Sequence, residues 1–564
     1  MSFLSVDEPA LHTPPTTVNV PDEPLTATLD RAVRDFPDRV AVDFLGRTTT
    51  WAELGRQVRR AAGALHALGV RPGDRVALVL PNSTSHVVAF WAVLRLGAIV
   101  VEHNPTYTAP AMAHQLADSG ATVVVAWEKA VPTVLEARAA TSVRRVVAVD
   151  LSQDLPTTKR LALSLPLPAA KALRTRLRGP VPPQVDSWHR LLRRARPLPA
   201  SYPAPRSGDI ALLQYTGGTT GTPKGATLLH RNLVANALQG AAWTGAEPGT
   251  EVVYGVLPFF HAFGLTLCLS YTTRIAGTVV LFPNFDPAQV LAAQKRRPGT
   301  FLPAVATMLD RLLDAADREG ADLTSFRYAI CGAMALPPAT AARWEKATHG
   351  LAIEGYGMTE TSPVALGNPL TAARRPGLLG LPFPSTRIRV VDPEDTDRDM
   401  PDGAQGELLI AGPQVFAGYW NRPEETAEQL LPGGWLRTGD LVVVEPDGFV
   451  RLVDRIKEMI VCDGFKVYPS QVEDHLRLMP GVLDVAVVGE PAGDHGESVV
   501  AAIVLDELIR NVDLAAVRAW GEQHLARYAL PRRLVVLPEL PRSQVGKVLR
   551  RVVRDHVLTL REES

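Results

Sequence analysis

Residues 215–225 read Tyr-Thr-Gly-Gly-Thr-Thr-Gly-Thr-Pro-Lys-Gly and follow an apolar run at 210–213. Glycines let backbone N–H groups approach an anion, hydroxyls add donors, and Lys224 adds a positive charge. The pattern therefore predicts a strand followed by a polyphosphate-binding loop. The order Pro-Lys-Gly differs from the Gly-Lys-Ser/Thr of a Walker A loop, and a plain flexible turn would need neither the lysine nor the strand. The predicted binding residues are Thr216, Gly217, Gly218, Thr219, Thr220, Gly221 and Lys224.

Regular alternation of helical and β-branched patterns precedes this loop. Helical spacing is found at residues 51–68 and 85–96, while runs typical of buried strands occupy 75–80, 121–126 and 143–149. Such alternation is typical of βαβ units, which form parallel sheets covered by helices. The same patterning resumes after the loop, so we expect a large α/β domain that extends to residue 453.

The last part of the chain has a different pattern. Strand-like runs at 483–489, 499–505 and 534–537 flank a helical pattern at 512–524. About 110 residues suffice for a small α+β domain. We therefore predict a domain at 1–453, a linker at 454–457 and a second domain at 458–564.

Composition narrows the class of protein. The 564 residues are 46% hydrophobic and carry 59 basic and 59 acidic side chains. The apolar content excludes a fibrous or disordered chain, and the zero net charge argues against a general nucleic-acid binder. Three scattered cysteines predict neither disulfides nor a zinc site. With no signal peptide and no long apolar run, the sequence predicts a cytoplasmic protein.

Residues 155–200 carry a strong local charge. They contain ten basic side chains and one acidic one, Asp186. On a helix, Trp188, Leu191, Leu192 and Ala195 would share one apolar face, and a similar stripe is formed by Ala170, Leu173 and Leu177. A basic amphipathic helix with an aromatic anchor suits the anionic inner face of a membrane. An ordinary surface helix docked on its own domain has the same pattern, so peripheral membrane contact is one of two interpretations.

Further motifs occur in a fixed order along the chain, and together they resemble the adenylate-forming superfamily, which includes acyl-CoA synthetases, firefly luciferase and peptide-synthetase adenylation domains. The resemblance covers residues 213–547. Besides the loop, its motifs are Pro258-Phe-Phe-His-Ala-Phe-Gly264, Tyr356-Gly-Met-Thr-Glu360, the run 406–426, Thr438-Gly-Asp440, Asp454-Arg-Ile-Lys457 and Pro541-Arg-Ser-Gln-Val-Gly-Lys547.

Within this superfamily the chain most resembles bacterial long-chain fatty-acyl-CoA synthetases, on the form of the loop and on the run 453–469. The resemblance implies an ATP-dependent ligase with two half-reactions. A medium- or long-chain fatty acid would first react with Mg²⁺-ATP to give acyl-AMP and pyrophosphate. The thiol of coenzyme A would then take the acyl group and release AMP.

The resemblance also implies roles for the residues that handle the phosphates. Lys547 would bridge the carboxylate and the α-phosphate in the first half-reaction. Glu360 would hold Mg²⁺, which prefers hard oxygen ligands, with a contribution from Thr216. Thr359 would contact the α-phosphate.

The same resemblance assigns the rest of the nucleotide. Asp440 would accept hydrogen bonds from the ribose hydroxyls, and Arg455 would donate to them. The residues expected around the adenine are Gly332 and Ala333 on one wall and Gly355 and Tyr356 on the other.

Three further positions follow from the family pattern. His261, between two phenylalanines, would orient the fatty-acid carboxylate. Lys457 ends the predicted hinge and is counted among the nucleotide-binding residues. Gly464 would approach coenzyme A after the small, mobile domain has swung about that hinge.

Two other functions remain open at this stage. A fatty-acyl-AMP ligase would load a carrier protein instead of coenzyme A, but those proteins typically carry an insertion that is not evident here. A non-catalytic acyl or nucleotide sensor would be expected to lack Lys547, Asp440 or Glu360, all of which are present.

Val461 and Asp463 stand where luciferase and the plant ligases have lysines, which we interpret as a feature of the subgroup. The sequence is compatible with a monomer or a homodimer.

Overall fold

The computed structural model describes residues 13–562 except 217–221, 463, 494–495, 507–511 and 544–545. The chain divides into two compact units. Unit 1 comprises the described residues of 1–217, 223–387 and 411–434, and unit 2 comprises those of 218–222, 388–410 and 435–564.

The strands are β1 (Val40–Phe44), β2 (Arg47–Thr50), β3 (Arg75–Val79), β4 (Ile99–Glu102), β5 (Val123–Trp127), β6 (Arg145–Val149), β7 (Asp186–Ser187), β8 (Ile210–Tyr215), β9 (Gly225–Leu229), β10 (Val252–Gly255), β11 (Thr278–Leu281), β12 (Phe301–Ala304), β13 (Tyr328–Cys331), β14 (Leu351–Gly357), β15 (Val364–Gly367), β16 (Leu381–Pro382), β17 (Arg387–Val391), β18 (Gly406–Ala411), β19 (Leu430–Leu431), β20 (Trp435–Val444), β21 (Val450–Arg455), β22 (Ile460–Cys462), β23 (Phe465–Val467), β24 (Val482–Pro491), β25 (Glu497–Leu505) and β26 (Arg533–Val536).

The α-helices are α1 (Leu25–Asp35), α2 (Trp51–Ala67), α3 (Thr84–Arg95), α4 (Ala109–Ser119), α5 (Val131–Ala137), α6 (Thr157–Leu163), α7 (Pro168–Leu177), α8 (Trp188–Arg194), α9 (His230–Thr244), α10 (Ala262–Gly264), α11 (Tyr271–Arg274), α12 (Pro287–Arg296), α13 (Ala306–Glu319), α14 (Pro338–Thr348), α15 (Pro423–Gln429), α16 (Pro469–Arg477), α17 (Leu514–Gly521) and α18 (Arg550–Glu562).

Two large sheets form the core of unit 1. The seven-stranded sheet has the order β7-β6-β5-β3-β4-β8-β9 and is parallel except for the β8–β9 hairpin. The nine-stranded sheet has the order β16-β15-β14-β13-β12-β10-β11-β1-β2 and is parallel from β14 to β1. Helix α3 contacts both sheets. It is apolar around its whole surface and buried along most of its length, as expected of a helix enclosed on all sides.

The predicted elements of unit 1 are present, with ends shifted by one to two residues. The helices expected at 51–68 and 85–96 are α2 and α3, and the strands expected first are β3, β5 and β6. Helix α2 begins at a capping box, in which Thr50 accepts from the Glu53 N–H and Glu53 accepts from the Thr50 N–H. The α/β class predicted from the alternation is confirmed.

Unit 2 contains smaller sheets. In one, β18 pairs with β20 and β20 with β21, both antiparallel. In another, the long β24–β25 hairpin adds β26 in parallel. Apolar clusters lie on both faces of this second sheet, with α16 and α17 on one side and α18 on the other. The predicted α+β character of the last 110 residues is confirmed.

Residues 155–200 form helices α6, α7 and α8 within unit 1. The Trp188 side chain at the start of α8 is 1% exposed. The expected aromatic membrane anchor therefore packs into its own unit, since an amphipathic pattern does not specify what covers the apolar face. In the described part of the chain, no helix combines the length and apolar character that a membrane span requires.

Candidate functional site

The glycine–threonine loop lies between two paired strands. Strand β8 leads into it and β9 leaves it, with Tyr215 opposite Gly225 in the antiparallel register. Just inside that pair, the Thr216 N–H donates to the Lys224 carbonyl at 2.9 Å. The predicted residues Gly217, Gly218, Thr219, Thr220 and Gly221 lie outside the described residues. Thr216 and Lys224 are thus held side by side at the base of the loop.

Lys224 has two partners in unit 1 that the sequence analysis did not identify. Its Nζ lies 2.5 Å from Oε2 of Glu425 and 5.2 Å from the centre of the Tyr419 ring. Both partners lie in the run 406–426, a motif that assigns no role to either residue. The lysine is therefore neutralised within the protein when no phosphate is present.

Tyr419 also holds the predicted metal ligand. Its hydroxyl donates to Oε1 of the buried Glu360 at 2.6 Å. Burial and the negative charge of Glu360 both raise the pKa of Tyr419, so the phenol keeps its proton and remains a donor. Thr359 and Glu360 sit on a 3₁₀ turn, Thr359–Thr361, and the Glu360 carbonyl accepts from the Phe416 N–H.

Backbone pairing explains why Tyr419 reaches both groups. The segment 417–420 lies along β9: the Thr227 N–H donates to Gly418, and the Trp420 N–H donates to Gly225. Tyr419 and Ala226 form an antiparallel bridge. This pairing connects the base of the loop to the turn that carries Glu360.

A magnesium ion is the metal that these residues fit. Glu360 offers a carboxylate and Thr216 a hydroxyl, and Mg²⁺ commonly takes one or two protein oxygens while keeping water and phosphate ligands. Among the residues that the structure describes, there is no cluster of three or more His, Cys, Asp or Glu side chains of the kind that binds zinc.

The two predicted adenine walls are neighbours: Gly332 and Ala333 follow the end of β13, and Gly355 and Tyr356 lie in β14 just beyond its pairing with β13. Cys331 of β13 and Glu354 of β14 are in parallel register, so Gly332 and Gly355 follow them side by side. A Cβ on Gly332 would lie 3.1 Å from the Gly355 carbonyl oxygen and 3.1 Å from the Phe263 ring. Ala333 is exposed with a φ of 66°, and Tyr356 is half-buried. Ligands of parallel sheets bind at this edge, beyond the carboxyl ends of the strands.

His261 precedes α10 in the segment that contacts Gly332. Its Nδ1 accepts from the Phe263 N–H at 3.3 Å, and burial lowers its pKa to about 4. The ring is therefore neutral near pH 7, with the proton on Nε2. Such a ring can donate one hydrogen bond, and it does not supply a positive charge.

Asn82 positions this segment, although nothing in the sequence marked it. Its amide donates to the carbonyls of Gly255 and Leu257 at 3.0 and 2.7 Å, and its oxygen accepts from the Phe259 N–H at 2.9 Å. The side chain is buried after β3. Three hydrogen bonds thus fix the backbone that leads to His261.

In unit 2, Asp440 and Arg455 form an ion pair across two strands. They are opposite each other in the β20–β21 register, and Arg455 Nε lies 3.1 Å from Asp440 Oδ1. Asp440 is 2% exposed, and its N–H donates to Oγ1 of Thr438. The pair that was assigned to the ribose is thus preassembled by strand pairing.

Lys547 belongs to the same unit. Burial, with repulsion from Arg455, lowers its pKa to about 8, and the nearby carboxylates of Glu458 and Asp440 partly offset this effect. The lysine ends a turn in which its carbonyl accepts from the Ser543 N–H and its own N–H donates to Ser543 Oγ. The structure therefore brings three predicted residues, Lys547, Asp440 and Arg455, into one electrostatic group.

The remaining predicted positions of unit 2 are exposed. Lys457 lies on the 3₁₀ turn Ile456–Glu458, and Gly464 lies at the β22–β23 hairpin with a φ of 81°. One residue missed by the sequence analysis, Arg550, pairs with Glu458 and with Glu473. The hinge at 454–457 and the domain boundary stay predictions.

Comparisons with known proteins agree with this picture. A family model described as AMP-binding enzyme matches residues 29–420, and one described as AMP-binding enzyme C-terminal domain matches residues 471–547. The long-chain-fatty-acid–CoA ligase of Bacillus subtilis (strain 168) is 33% identical over 539 residues, 95% of each chain. The enzyme of the same name from Salmonella typhimurium is 36% identical over 535 residues, 94% of each chain.

Solved structures point in the same direction. ATP-bound MatB from Rhodopseudomonas palustris superposes with a TM-score of 0.82 at 29% identity, covering 95% of this chain and 99% of that one. The parallel-rich α/β fold and the small second domain are thus shared with a protein whose structure contains bound ATP. Because the family model spans more than half of the chain and the full-length relatives exceed 30% identity, this protein belongs to the AMP-binding enzyme family.

Proposed function

We propose that this protein is an ATP-dependent long-chain-fatty-acid–CoA ligase, which converts a fatty acid, ATP and coenzyme A into acyl-CoA, AMP and pyrophosphate. The relatives of that name match nearly the whole chain at 33–36% identity. The structural observation that carries the proposal is the placement of Lys547 within the electrostatic reach of Asp440 and Arg455. A half-buried cation beside the pair proposed to bind the ribose suits a reaction between two anions.

In the first half-reaction, a carboxylate oxygen attacks the α-phosphorus and the bond to pyrophosphate breaks. Both reactants are negatively charged, so the protein contributes chiefly by positioning and by neutralising charge. Lys547, protonated at neutral pH, donates to the carboxylate and to the α-phosphate. When ATP binds, the Lys224 ammonium leaves its ion pair with Glu425 and binds a phosphate oxygen. The Thr359 hydroxyl donates to the α-phosphate.

Mg²⁺, when bound at Glu360 with help from Thr216, supplies positive charge to the phosphates. Tyr419 keeps the Glu360 carboxylate oriented for that ion. Gly332, Ala333, Gly355 and Tyr356 hold the adenine, while Asp440 and Arg455 hold the ribose. Lys457 contributes to nucleotide binding, as do the loop residues Gly217 to Gly221.

In the second half-reaction, the thiol sulfur of coenzyme A attacks the acyl carbonyl, AMP leaves, and the thiol proton passes to solvent. His261 donates from Nε2 to the acyl carboxylate or carbonyl oxygen, and it does not move a proton. Gly464, at an exposed turn without a Cβ, offers a close approach for the pantetheine arm. The movement of a small domain about residues 454–457 is part of this proposal.

The test separates the two half-reactions of the purified full chain. Exchange between ATP and labelled pyrophosphate should require a fatty acid of medium or long chain and no coenzyme A, whereas AMP release should require both. Lys547→Ala should abolish the exchange, and Lys466→Ala, an exposed lysine of the same unit, should not. If acyl-AMP forms but only a carrier protein, and not coenzyme A, can accept the acyl group, the proposed acceptor is wrong. If fatty acids of every chain length fail to support the exchange, the proposed substrate is wrong.

Peripheral contact with the inner face of a membrane is also proposed for this chain, because its substrate dissolves in lipid. We place this contact within the basic segment 155–200.

A further inference from the structure

We infer that helices α6 and α7 and the turn between them form a docking surface for an anionic lipid bilayer. This surface, residues 157–178, is called the leucine–arginine surface below. The inference concerns a second binding site and does not depend on which acid the enzyme activates.

The leucine–arginine surface is unusual in its apolar exposure. Leu161, Leu165, Leu167 and Leu173 are 65%, 47%, 55% and 36% exposed. Within the described part of unit 1, no other large aliphatic or aromatic side chain is exposed to this degree. Soluble proteins rarely leave such side chains grouped in water, and a group of this kind marks an interaction site.

The leucines are exposed although the segment is firmly docked. Leu163 and Leu177, each 5% exposed, anchor the two helices in the core. The Trp127 indole donates to the Leu177 carbonyl at 2.7 Å, and Arg178 lies 3.2 Å from Glu128. Lys159 donates to the Leu45 carbonyl. The outward direction of the other leucines is therefore a property of the folded surface.

Charge decides which partner fits. Residues 155–178 contain six basic side chains and no acidic one. Two of the six, Lys159 and Arg178, bind the protein itself. Within the described chain, no ion pair engages the other four, which are Arg160, Lys171, Arg174 and Arg176.

A second copy of the same face would bring together two positive surfaces, which repel each other. A nucleic acid would satisfy the cations but would leave the leucines in water. An anionic bilayer satisfies both groups, because its headgroups attract the cations and its acyl region accepts leucine side chains. The helices have seven and ten residues, too few to cross a membrane, so they lie on it.

Helix α8 differs from the leucine–arginine surface because its apolar side chains are not exposed. It also carries several arginines, but Trp188 is buried and Leu191 and Leu192 are half-buried against the unit. Its cations are on the surface without an accompanying apolar group. Helix α8 therefore provides a matched control of equal charge.

The test is co-sedimentation of the full chain with lipid vesicles, in a buffer that contains neither fatty acid nor ATP. Vesicles of phosphatidylcholine with about 30 mol% phosphatidylglycerol should bind the protein, and pure phosphatidylcholine should bind it at least about tenfold more weakly. The combined variant Leu161→Ser, Leu165→Ser and Leu167→Ser should reduce binding about tenfold. The combined variant Arg160→Glu, Lys171→Glu and Arg176→Glu should abolish it, while Arg190→Glu, Arg193→Glu and Arg194→Glu together should leave it within about twofold.

Each alternative result is decisive. Full binding by the leucine variant would indicate a site for polyanions in general and overturn the inference. Loss of binding in the α8 variant with retention in the other two would move the site to α8. Since all substituted side chains are exposed or on the helix surface, unchanged thermal unfolding is expected for every variant. Activity with detergent-dispersed fatty acid should also be unchanged, which separates this inference from the proposed catalytic function.

Discussion

The Tyr419 hydroxyl donates a 2.6 Å hydrogen bond to Glu360, and the ring of the same tyrosine lies 5.2 Å from the ammonium of Lys224. One side chain thus contacts both the predicted metal ligand and the predicted phosphate-binding lysine. Since Tyr419 is itself held by the pairing of its backbone with β9, the geometry of both groups depends on one short segment.

Removal of the Tyr419 hydroxyl should therefore weaken Mg²⁺ binding at Glu360 more than it lowers the stability of the fold. We expect Tyr419→Phe to lower ATP–pyrophosphate exchange by about tenfold or more, because a hydrogen bond to a charged group is lost. The ring remains in place, so the contact with Lys224 is kept. The loss should be partly recovered at high Mg²⁺ concentration, which a purely structural role would not produce. Tyr468→Phe, which removes a hydroxyl bonded to Gln405, is the control.

The pKa of Lys547, lowered to about 8, predicts a pH dependence. Below this value the side chain is charged, and above it the side chain becomes neutral and no longer offsets the charges of carboxylate and phosphate. We expect kcat/KM for adenylation to fall as the pH rises through about 8, well below the ordinary lysine value near 10.4. Lys547→Arg should retain part of the activity and lose the alkaline decline, since arginine stays charged. An unchanged alkaline limb in that variant would assign the titration to another group.

Much of the fold was predictable because its signals are local. Periodicity located α2, α3 and the strands β3, β5 and β6, and a fixed motif order located Glu360, Asp440 and Lys547. The parts that were not predictable depend on contacts between distant segments. Asn82, for example, bonds to residues more than 170 positions later.

The sequence also could not predict whether the apolar face of an amphipathic helix is buried or exposed to solvent. The apolar stripes of α8 and α7 show similar helical spacing, yet Trp188 in α8 is buried and Leu173 in α7 is exposed. Only the packing of the unit decides which apolar face is covered. The contact of Tyr419 with Lys224 likewise depends on the pairing of 417–420 with β9, which no local sequence pattern encodes.

Asn82 provides a test of the long-range contacts. Asn82→Ala removes the two hydrogen bonds that Asn82 donates, to Gly255 and Leu257, and the one that it accepts, from Phe259. We expect a loss of about 3 kcal/mol in the free energy of unfolding. The segment before His261 should also lose its order, so kcat should decrease at temperatures where the variant is folded. Asn284→Ala, at an exposed position with one long contact, should change neither quantity. Equal thermal unfolding of the two variants would contradict the role given to Asn82.

Gly332 tests the nucleotide edge of the sheet. A Cβ at this position would come within 3.1 Å of both the Gly355 carbonyl and the Phe263 ring, which is closer than ordinary van der Waals contact. Gly332→Ala should therefore push apart the segments that carry the proposed adenine site. We expect the KM for ATP to rise about tenfold, while the KM for coenzyme A changes little, because the displaced segments do not include the proposed coenzyme A contact at Gly464. Gly208→Ala is the matched control, since nothing lies within 4 Å of a Cβ there. If Gly332→Ala leaves the KM for ATP unchanged but lowers the response to fatty acid, this edge of the sheet binds the acyl group and the adenine assignment is wrong.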